Sequence, residues 1–377
     1  MILLIKNAYI YGPSDMGLND ILIINDKIVA VDKNLEPSLP GLEVMDVNGA
    51  VCIPGLIDQH VHVTGGGGEG GFATRVPEIR LSDCIKAGVT SVVGLLGTDS
   101  RTRTVENLVA KVKGLREEGL SAWCLTGAYE YPSPTVTGSV GKDIVYIDEV
   151  LGVKIALSDH RSSNMSEEDM IRLASEARIA GLISGKPGIV HIHTGRGKGR
   201  LRMIVDICKN TDIPAAVFRP THMREDLMED MIELARMGTW LDFTTGERPE
   251  DTAELMVRAM RRLPAKNMTM SSDSNGSMPK WNERHEMIGM GVGSISTLYA
   301  TVQALIEKGV SWEKALGFCT VNVAQALGLY PAKGCIAAGS DADIVLLGSD
   351  NRVFTVLARG EMMMKEGVLL KTGTFEA

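Results

Sequence analysis

The chain has 377 residues, enough for a large buried core and long for one simple domain. Hydrophobic residues make up 44% and charged residues 23% of it, which is ordinary for a globular protein. The net charge of −8 argues against nucleic acid or an anionic membrane surface as the main partner, because both repel an acidic protein.

Both ends of the chain have the pattern of short strands joined by polar turns. The predicted strands are 2–10, 20–31 and 42–47 at the beginning, and 342–348 and 351–364 at the end. We expect the two ends to pair into one small β-sandwich domain made of residues 1–57 and 335–377. Residues 58–334 would then form an inserted catalytic domain.

The middle of the chain alternates apolar strand-like runs with helix-like segments. The predicted strands are 52–63, 90–96, 121–129, 152–159, 189–194, 215–222, 240–245 and 268–273, and the predicted helices include 105–118, 167–180, 201–209, 224–237 and 250–262. Eight such repeats over about 220 residues predict an α/β fold, a (β/α)8 barrel of the TIM type. A doubly wound open sheet is the alternative.

The positions of the polar residues favour the barrel. The chemically active side chains lie on the predicted strands, most of them near the ends. In a closed barrel these ends ring one mouth, whereas the first and eighth strands of an open sheet would not meet.

The six cysteines indicate a reducing compartment. They are scattered, they form no CxxC pair, and most lie in apolar segments, so we interpret them as core thiols. The apolar run at the N-terminus is broken by Lys6, too early for a signal-peptide core, and no segment is long enough to span a bilayer. We therefore expect a cytoplasmic location and no membrane partner.

Histidines at strand ends suggest a metal site. His60 and His62 lie two residues apart, so both side chains point to the same face of the first strand. His193 ends the fifth strand and His222 the sixth. Neutral imidazole suits zinc, our default metal. His191 lies one pleat deeper than His193, so we expect it to support the site from the core, and buried hydrogen-bonded histidines without metal are the simpler alternative.

Lys154 is the most informative residue of the fourth strand. Strand alternation sends Lys154 into the barrel and its neighbours Val153 and Ile155 outward. A buried lysine is costly unless it is paired or changes its chemical state. Carboxylation by carbon dioxide would make it an anion with two oxygens that can bridge two cations. An ion pair with an inward carboxylate such as Asp273 is the alternative.

Asp273, at the end of the eighth strand, completes a set of six possible ligands, unless it is only a helix N-cap. The full set is His60, His62, Lys154, His193, His222 and Asp273. It is large enough for two divalent metal ions that share a bridging hydroxide, which predicts hydrolysis of an amide-like bond. Asp273 would accept a proton from the hydroxide and deliver it to the leaving amine.

The pattern of these segments resembles the amidohydrolase superfamily, and within it the isoaspartyl dipeptidases. The similar segments are 54–69, 88–100, 125–129, 152–154, 158–161, 271–277 and 331–347, which span the barrel almost from end to end. The resemblance implies hydrolysis of dipeptides in which aspartate is linked through its side-chain carboxyl group. We expect such a dipeptide as the small-molecule partner, and a homo-oligomer as the assembly.

The resemblance also implies roles for individual residues. Glu69 would hold the α-ammonium group of the substrate, and Tyr129 would donate a hydrogen bond to the developing oxyanion. Arg161 and Ser277 would bind a substrate carboxylate. Thr98 would make a minor polar contact, although an ordinary loop position is an equal alternative.

One position departs from the isoaspartyl dipeptidase pattern. A carboxylate-binding arginine is expected three residues after the sixth-strand histidine, but Glu225 stands there and Arg224 precedes it. Arg224 could take over this role after a small change in the loop. Otherwise the pocket has lost a cation and gained an anion, which affects substrate identity more than reaction type.

Two other functions stay open at this point. One is a related amidohydrolase acting on a cyclic amide, as dihydroorotase or hydantoinase does, or on an N-acyl amino acid. The other is a non-catalytic scaffold on the same fold. This is the weakest hypothesis, because the chain keeps all six ligands. Glu69, Arg161 and Tyr129 together favour a dipeptide.

Overall fold

Strands from both ends of the chain form one sheet. The computed structural model describes residues 1–12, 14–284 and 286–376. The first five strands are β1 (Ile2–Tyr11), β2 (Asp15–Ile24), β3 (Lys27–Asp32), β4 (Leu42–Asp46) and β5 (Val51–Pro54). The last strand of this group, β5, pairs antiparallel with residues 344–346 near the other end of the chain. The predicted pairing of the two ends is confirmed, whereas the exact domain boundaries stay a prediction.

Eight parallel strands follow and form the barrel. They are β6 (Leu56–Val61), β7 (Val89–Gly94), β8 (Ser121–Gly127), β9 (Val150–Leu157), β10 (Ile189–Thr194), β11 (Phe218–Thr221), β12 (Leu241–Thr244) and β13 (Met268–Ser271). Strands β6 to β11 form one continuous sheet and β12 pairs with β13. Backbone hydrogen bonds close the ring, from Met223 to Asp242 at 3.2 Å and from His62 to Ser274 at 2.9 Å. The predicted (β/α)8 barrel is confirmed.

Helices surround the barrel, and a hairpin follows its last strand. The hairpin strands are β14 (Ser277–Trp281) and β15 (Met287–Val292), and the sheet of the chain ends continues with β16 (Ile344–Leu347), β17 (Val353–Ala358), β18 (Glu361–Lys365) and β19 (Val368–Leu369). The helices are α1 (Leu81–Lys86), α2 (Val105–Glu117), α3 (Val140–Tyr146), α4 (Glu167–Ser184), α5 (Arg202–Asn210), α6 (Met228–Met237), α7 (Pro249–Ala259), α8 (Thr297–Glu307), α9 (Trp312–Gly317) and α10 (Val321–Ala326). Within the described ranges, none of these helices combines the length and the apolar character needed to cross a bilayer.

Local sequence explains where these elements begin and end. Helix α4 begins with a capping box between Ser166 and Asp169 and ends at Gly185, which has a left-handed φ of 68°.

In β9, the alternating residues Val153 and Ile155 pack into the layer between barrel and helices, which leaves Lys154 facing the interior. This confirms the predicted orientation of Lys154.

Four predicted strands are wrong in their extent. The runs 20–31 and 351–364 each contain two antiparallel strands joined by a turn, β2 and β3 in the first and β17 and β18 in the second. The run 52–63 is two strands in different sheets, because the chain bends at Gly55. A Cβ atom at Gly55 would lie 2.1 Å from the hydroxyl oxygen of Thr90, so no larger residue fits there. The run 215–222 begins as a 3-10 turn, and its strand covers only residues 218–221. Apolar residues continue through the junction at Gly55 and through the junction between Val217 and Phe218. The hydrophobic pattern of the sequence therefore does not show where these strands begin.

A buried carboxylate connects neighbouring strands of the barrel through hydrogen bonds. Asp242 on β12 accepts hydrogen bonds from Gln59 at 2.6 Å and from the hydroxyl groups of Thr221, Thr269 and Ser271 at 2.7, 2.8 and 2.5 Å. These partners come from β6, β11 and β13, so one side chain links four strands below the mouth. Hydrogen bonds to a buried charge are worth about 1.5–3 kcal/mol each, which makes Asp242 a major support of the floor beneath the site.

Candidate active site

Three of the predicted ligands meet at the carboxyl end of the first and last barrel strands. The Nε2 atoms of His60 and His62 lie 3.3 and 3.1 Å from Oδ1 of Asp273. One ligand atom from each of the three residues lies within 4.8 Å of the others, close enough to hold one metal ion. The approach of β13 to β6 thus brings together residues that are more than 200 positions apart in the sequence.

His222 reaches the same place from the sixth strand. Its ring centroid lies 5.2 Å from that of His60 and 4.5 Å from that of His193. His222 and Asp273 both follow their strands in the left-handed region, with φ of 62° and 55°. For residues other than glycine this conformation costs about 1–3 kcal/mol and is typical of functional sites.

Lys154 lies beneath these side chains and is fully buried. Its Nζ atom is 3.4 Å from Nε2 of His60. Burial lowers the pKa of Lys154 to about 7, because an ammonium group loses its hydration in the barrel interior. Among the described residues no carboxylate lies within 4.0 Å of Nζ, so the alternative ion pair with Asp273 is not formed in this structure.

His193 is engaged at both ring nitrogens. Its Nδ1 is 2.6 Å from the hydroxyl oxygen of Tyr129, and its Nε2 is 3.0 Å from Oδ2 of Asp159. To bind a metal ion, His193 would have to give up one of these partners. Its role as a ligand stays a prediction, although its position beside His222 agrees with that role.

His191 orients the first metal-site histidine from below. Its Nε2 lies 2.9 Å from Nδ1 of His60, while Nε2 of His60 faces Asp273. A hydrogen bond at Nδ1 fixes the orientation and tautomer of a metal-binding imidazole. The structure thus places His191 in the supporting position expected from the sequence.

The donor set fits divalent metal ions. Among the described residues, Nδ1 of His62 and Nε2 of His222 are buried without a hydrogen-bond partner, and Oδ1 of Asp273 is approached by two imidazole nitrogens without forming a hydrogen bond of good geometry. Burial, together with the nearby Lys154 charge, lowers the pKa of His60 to about 3, and burial also lowers that of His193 to about 4. Neutral imidazoles and partnerless acceptors are what a cation such as zinc requires.

A second cluster lies beside the first and contains three residues expected to bind substrate. Oε1 of Glu69 accepts hydrogen bonds from Arg161 at 3.1 Å and from Ser277 at 2.6 Å. Arg161 also donates two hydrogen bonds of 2.9 Å to Asp159. The other oxygen of Glu69, Oε2, is buried and has no partner among the described residues. Oε2 of Glu69 is therefore available to accept a hydrogen bond from a bound ligand.

Thr98 lies in the loop after β7, next to the second histidine. A Cβ atom at Gly97, the residue before it, would lie 2.9 Å from Cε1 of His62. Thr98 is half-buried, and its contact with a substrate stays a prediction.

The departure at Glu225 does not add an anion to the pocket. Glu225 is 61% exposed and forms an ion pair of 3.0 Å with Arg258 of α7. Arg224 faces the pocket, but its guanidinium donates to the carbonyl oxygens of Thr194 and Gly195, both at 3.0 Å, and to Asp226 at 3.1 Å. Its role as a substrate-binding residue stays a prediction.

A cavity of about 470 Å3 connects the histidines with the outer rim of the barrel. Its lining includes His193 and His222 from the cluster, together with Arg196, Arg224 and Asn282. This volume lies within the range of small-ligand sites, at the mouth where barrel enzymes bind their substrates.

Three residues at or below the site carry no role in the sequence interpretation. Asp159 binds both Arg161 and His193, Arg196 lines the cavity, and Asp242 supports the barrel floor. Asp159 stands inside a segment that resembles the family, so that segment offered a signal for it. Arg196 and Asp242 become apparent only from their neighbours in space.

Solved structures share this architecture over the whole chain. A β-aspartyl dipeptidase from Fervidobacterium islandicum AW-1, in complex with the dipeptide β-Asp-Leu, has a TM-score of 0.94 and 43% identity and covers 100% of both chains. A dihydropyrimidinase from Brevibacillus agri, with a TM-score of 0.70 and 17% identity over 99% of this chain and 97% of that one, shares the fold. The resemblance to isoaspartyl dipeptidases is confirmed.

Relatives by sequence are more distant. A dihydroorotase from Elusimicrobium minutum is 24% identical over 398 residues, which cover 91% of this chain and 87% of that protein. An adenine deaminase from Clostridium perfringens is 24% identical over 387 residues, which cover 99% of this chain and 61% of that protein. The family model "Amidohydrolase family" matches residues 51–363. From the barrel, the histidine cluster and this match, we conclude that the chain belongs to the amidohydrolase family.

Proposed function

We propose that this protein hydrolyses the isopeptide bond of β-aspartyl dipeptides and that it uses two divalent metal ions, zinc by default. The observation that carries the proposal is Glu69, whose buried Oε2 has no partner and whose ion-pair partner Arg161 lies 3.4 Å from Nε2 of His193, a predicted metal ligand. A buried anion of this kind favours a ligand with a positive charge, which a β-aspartyl dipeptide offers in its α-ammonium group. The similar enzyme with bound β-Asp-Leu supports the same substrate class.

The residues that would hold the two metal ions are His60, His62, Lys154, His193, His222 and Asp273. Bound there, the ions would supply Lewis-acid polarisation of the scissile carbonyl group and lower the pKa of the attacking water towards about 7. Lys154 would bridge them as a carbamate. Its neutral amine forms a bond to the carbon of carbon dioxide and releases one proton, and the low pKa caused by burial favours this step.

Two side chains of the cluster would handle the reacting atoms. Asp273 accepts the proton of the attacking water and then donates it to the leaving amine. Tyr129 donates its hydroxyl hydrogen bond to the developing oxyanion. In the present structure that hydroxyl group lies 2.6 Å from Nδ1 of His193, so Tyr129 would exchange this partner for the substrate oxygen.

The remaining residues would orient the dipeptide. Glu69 binds the α-ammonium group, and Arg161 and Ser277, which already contact Glu69, bind a carboxylate next to it. Thr98 adds a polar contact, and Arg224 lines the cavity beyond them. We keep the cytoplasmic location and the homo-oligomeric assembly as predictions.

A cyclic amide or an N-acyl amino acid is the second candidate substrate, because the relatives by sequence include dihydroorotases. Dihydroorotate has no ammonium group that could donate to Oε2 of Glu69, so this buried oxygen would stay without a partner. The dipeptide is therefore the better match to this pocket.

The proposal is tested with zinc-loaded protein that has been incubated with bicarbonate. We expect β-aspartyl-leucine to be hydrolysed much faster than α-aspartyl-leucine, N-acetyl-leucine or dihydroorotate. Protein dialysed against a chelator serves as the matched control, and zinc should restore its activity. Faster turnover of dihydroorotate or N-acetyl-leucine would contradict the proposal, as would full activity after removal of the metal.

A further inference from the structure

A cation that would bind a substrate carboxylate is missing from its expected position. A β-aspartyl dipeptide carries a second carboxylate on the amino acid that leaves. The isoaspartyl dipeptidase pattern places an arginine where this chain has Glu225, and Glu225 is turned towards Arg258. We propose that Arg196, in the loop after β10, binds the carboxylate of the leaving amino acid. This inference rests on the proposed function and concerns specificity within it.

Arg224 is poorly available for this task. Its donors are directed to three carbonyl oxygens, those of Thr194, Gly195 and His222, and to the carboxylate of Asp226. To bind substrate, it would have to break several of these hydrogen bonds, each worth about 0.5–1.5 kcal/mol net. Its contacts with Thr194 and Gly195 instead hold the segment that carries Arg196.

Arg196 lines the same cavity as His193 and His222 and has an exposed side chain. Within the described part of the chain, no carboxylate lies within 4.0 Å of its guanidinium, in contrast to Arg161 and Arg224. An arginine that is free to form a bidentate contact is well suited to a carboxylate ligand.

The backbone around Arg196 is fixed in position. Gly195 donates to the carbonyl oxygen of Leu157 at 2.9 Å, and Gly197 donates to that of Ser158 at 2.5 Å. A Cβ atom at Gly195 or Gly197 would lie 2.4 or 2.6 Å from the Ser158 carbonyl oxygen, so only glycine allows this close approach. The two glycines therefore hold the backbone of Arg196 at the cavity, where its side chain is exposed.

The charge of the cavity agrees with an anionic ligand. Asp159 is its one acidic lining residue among the described residues, against Arg161, Arg196 and Arg224. Arg161 is neutralised by Asp159 and Glu69, and Arg224 by Asp226. Among the described residues Arg196 forms no ion pair within 4.0 Å and interacts with Asp226 only at longer range, so its charge is the least compensated of the three.

The test compares two substrates that differ only in the leaving carboxylate, β-aspartyl-leucine and β-aspartyl-leucinamide. Wild type should prefer the acid. R196Q should raise KM for the acid about three- to five-fold, as expected for one solvent-exposed ion pair, and leave kcat and the KM of the amide nearly unchanged. The control is K198Q, which removes an exposed lysine of the same loop outside the cavity lining and should match wild type.

Each result decides the matter. If R196Q keeps the wild-type preference for the acid, the inference is overturned while the proposed function stands. If the wild type hydrolyses no β-aspartyl dipeptide, the proposed function itself fails and the inference fails with it.

Discussion

Replacing Glu69 with Gln tests the residue on which the substrate assignment depends. The side chain of Glu69 is 6% exposed, so water screens its charge little. In E69Q an amide oxygen can still accept from Arg161 and Ser277, but the partnerless Oε2 becomes an NH2 group. The NH2 group that E69Q introduces and the ammonium group of the substrate are both donors, so they cannot form a hydrogen bond with each other. We therefore expect a selective loss of binding to substrates with a free α-amine.

The size of this loss follows from the lost contact. A hydrogen bond to a buried charge is worth about 1.5–3 kcal/mol, and about 1.4 kcal/mol corresponds to a factor of ten. We expect kcat/KM for β-aspartyl-leucine to fall about 10- to 150-fold, mainly through KM. The fold should lose only about 1 kcal/mol, because Arg161 keeps both of its 2.9 Å hydrogen bonds to Asp159.

The assay compares β-aspartyl-leucine with N-succinyl-leucine, which is the same molecule without the α-amine. E69Q should lower kcat/KM for the first substrate and leave the second within about two-fold of wild type. E78Q removes an acidic side chain that is 49% exposed and paired with Lys111, and it serves as the matched control. Equal losses on both substrates, or no loss on β-aspartyl-leucine, would refute the assigned role of Glu69.

Two further substitutions test the metal site and its support. K154A should abolish turnover and lower the bound zinc measured by elemental analysis. Short carboxylates that replace the carbamate should restore part of the activity and part of the zinc content. Full activity with normal zinc content in K154A would exclude the bridging role. D242A should lower the free energy of unfolding by about 3–5 kcal/mol in urea denaturation, because it leaves four buried donors without their acceptor. D251A, an exposed carboxylate on α7, should cost less than about 1 kcal/mol, and an equal loss in both variants would contradict the argument.

The sequence by itself determined the barrel and the choice of its inward-facing residues. Strand periodicity depends only on neighbours along the chain, so it was enough to place His60 and His62 on one face and to turn Lys154 towards the interior. The closed ring of strands then made the first and last strands neighbours, as the distance of 3.1 Å between His62 and Asp273 confirms.

Only the tertiary structure decided which partners these side chains have. The hydrogen bond between Tyr129 and His193, the capture of Arg224 by backbone carbonyl groups and the outward turn of Glu225 depend on loop geometry. Loop conformations are set by contacts between distant segments, which leave no period in the sequence. For the same physical reason, the free guanidinium of Arg196 became apparent only when the cavity and its neighbours were known.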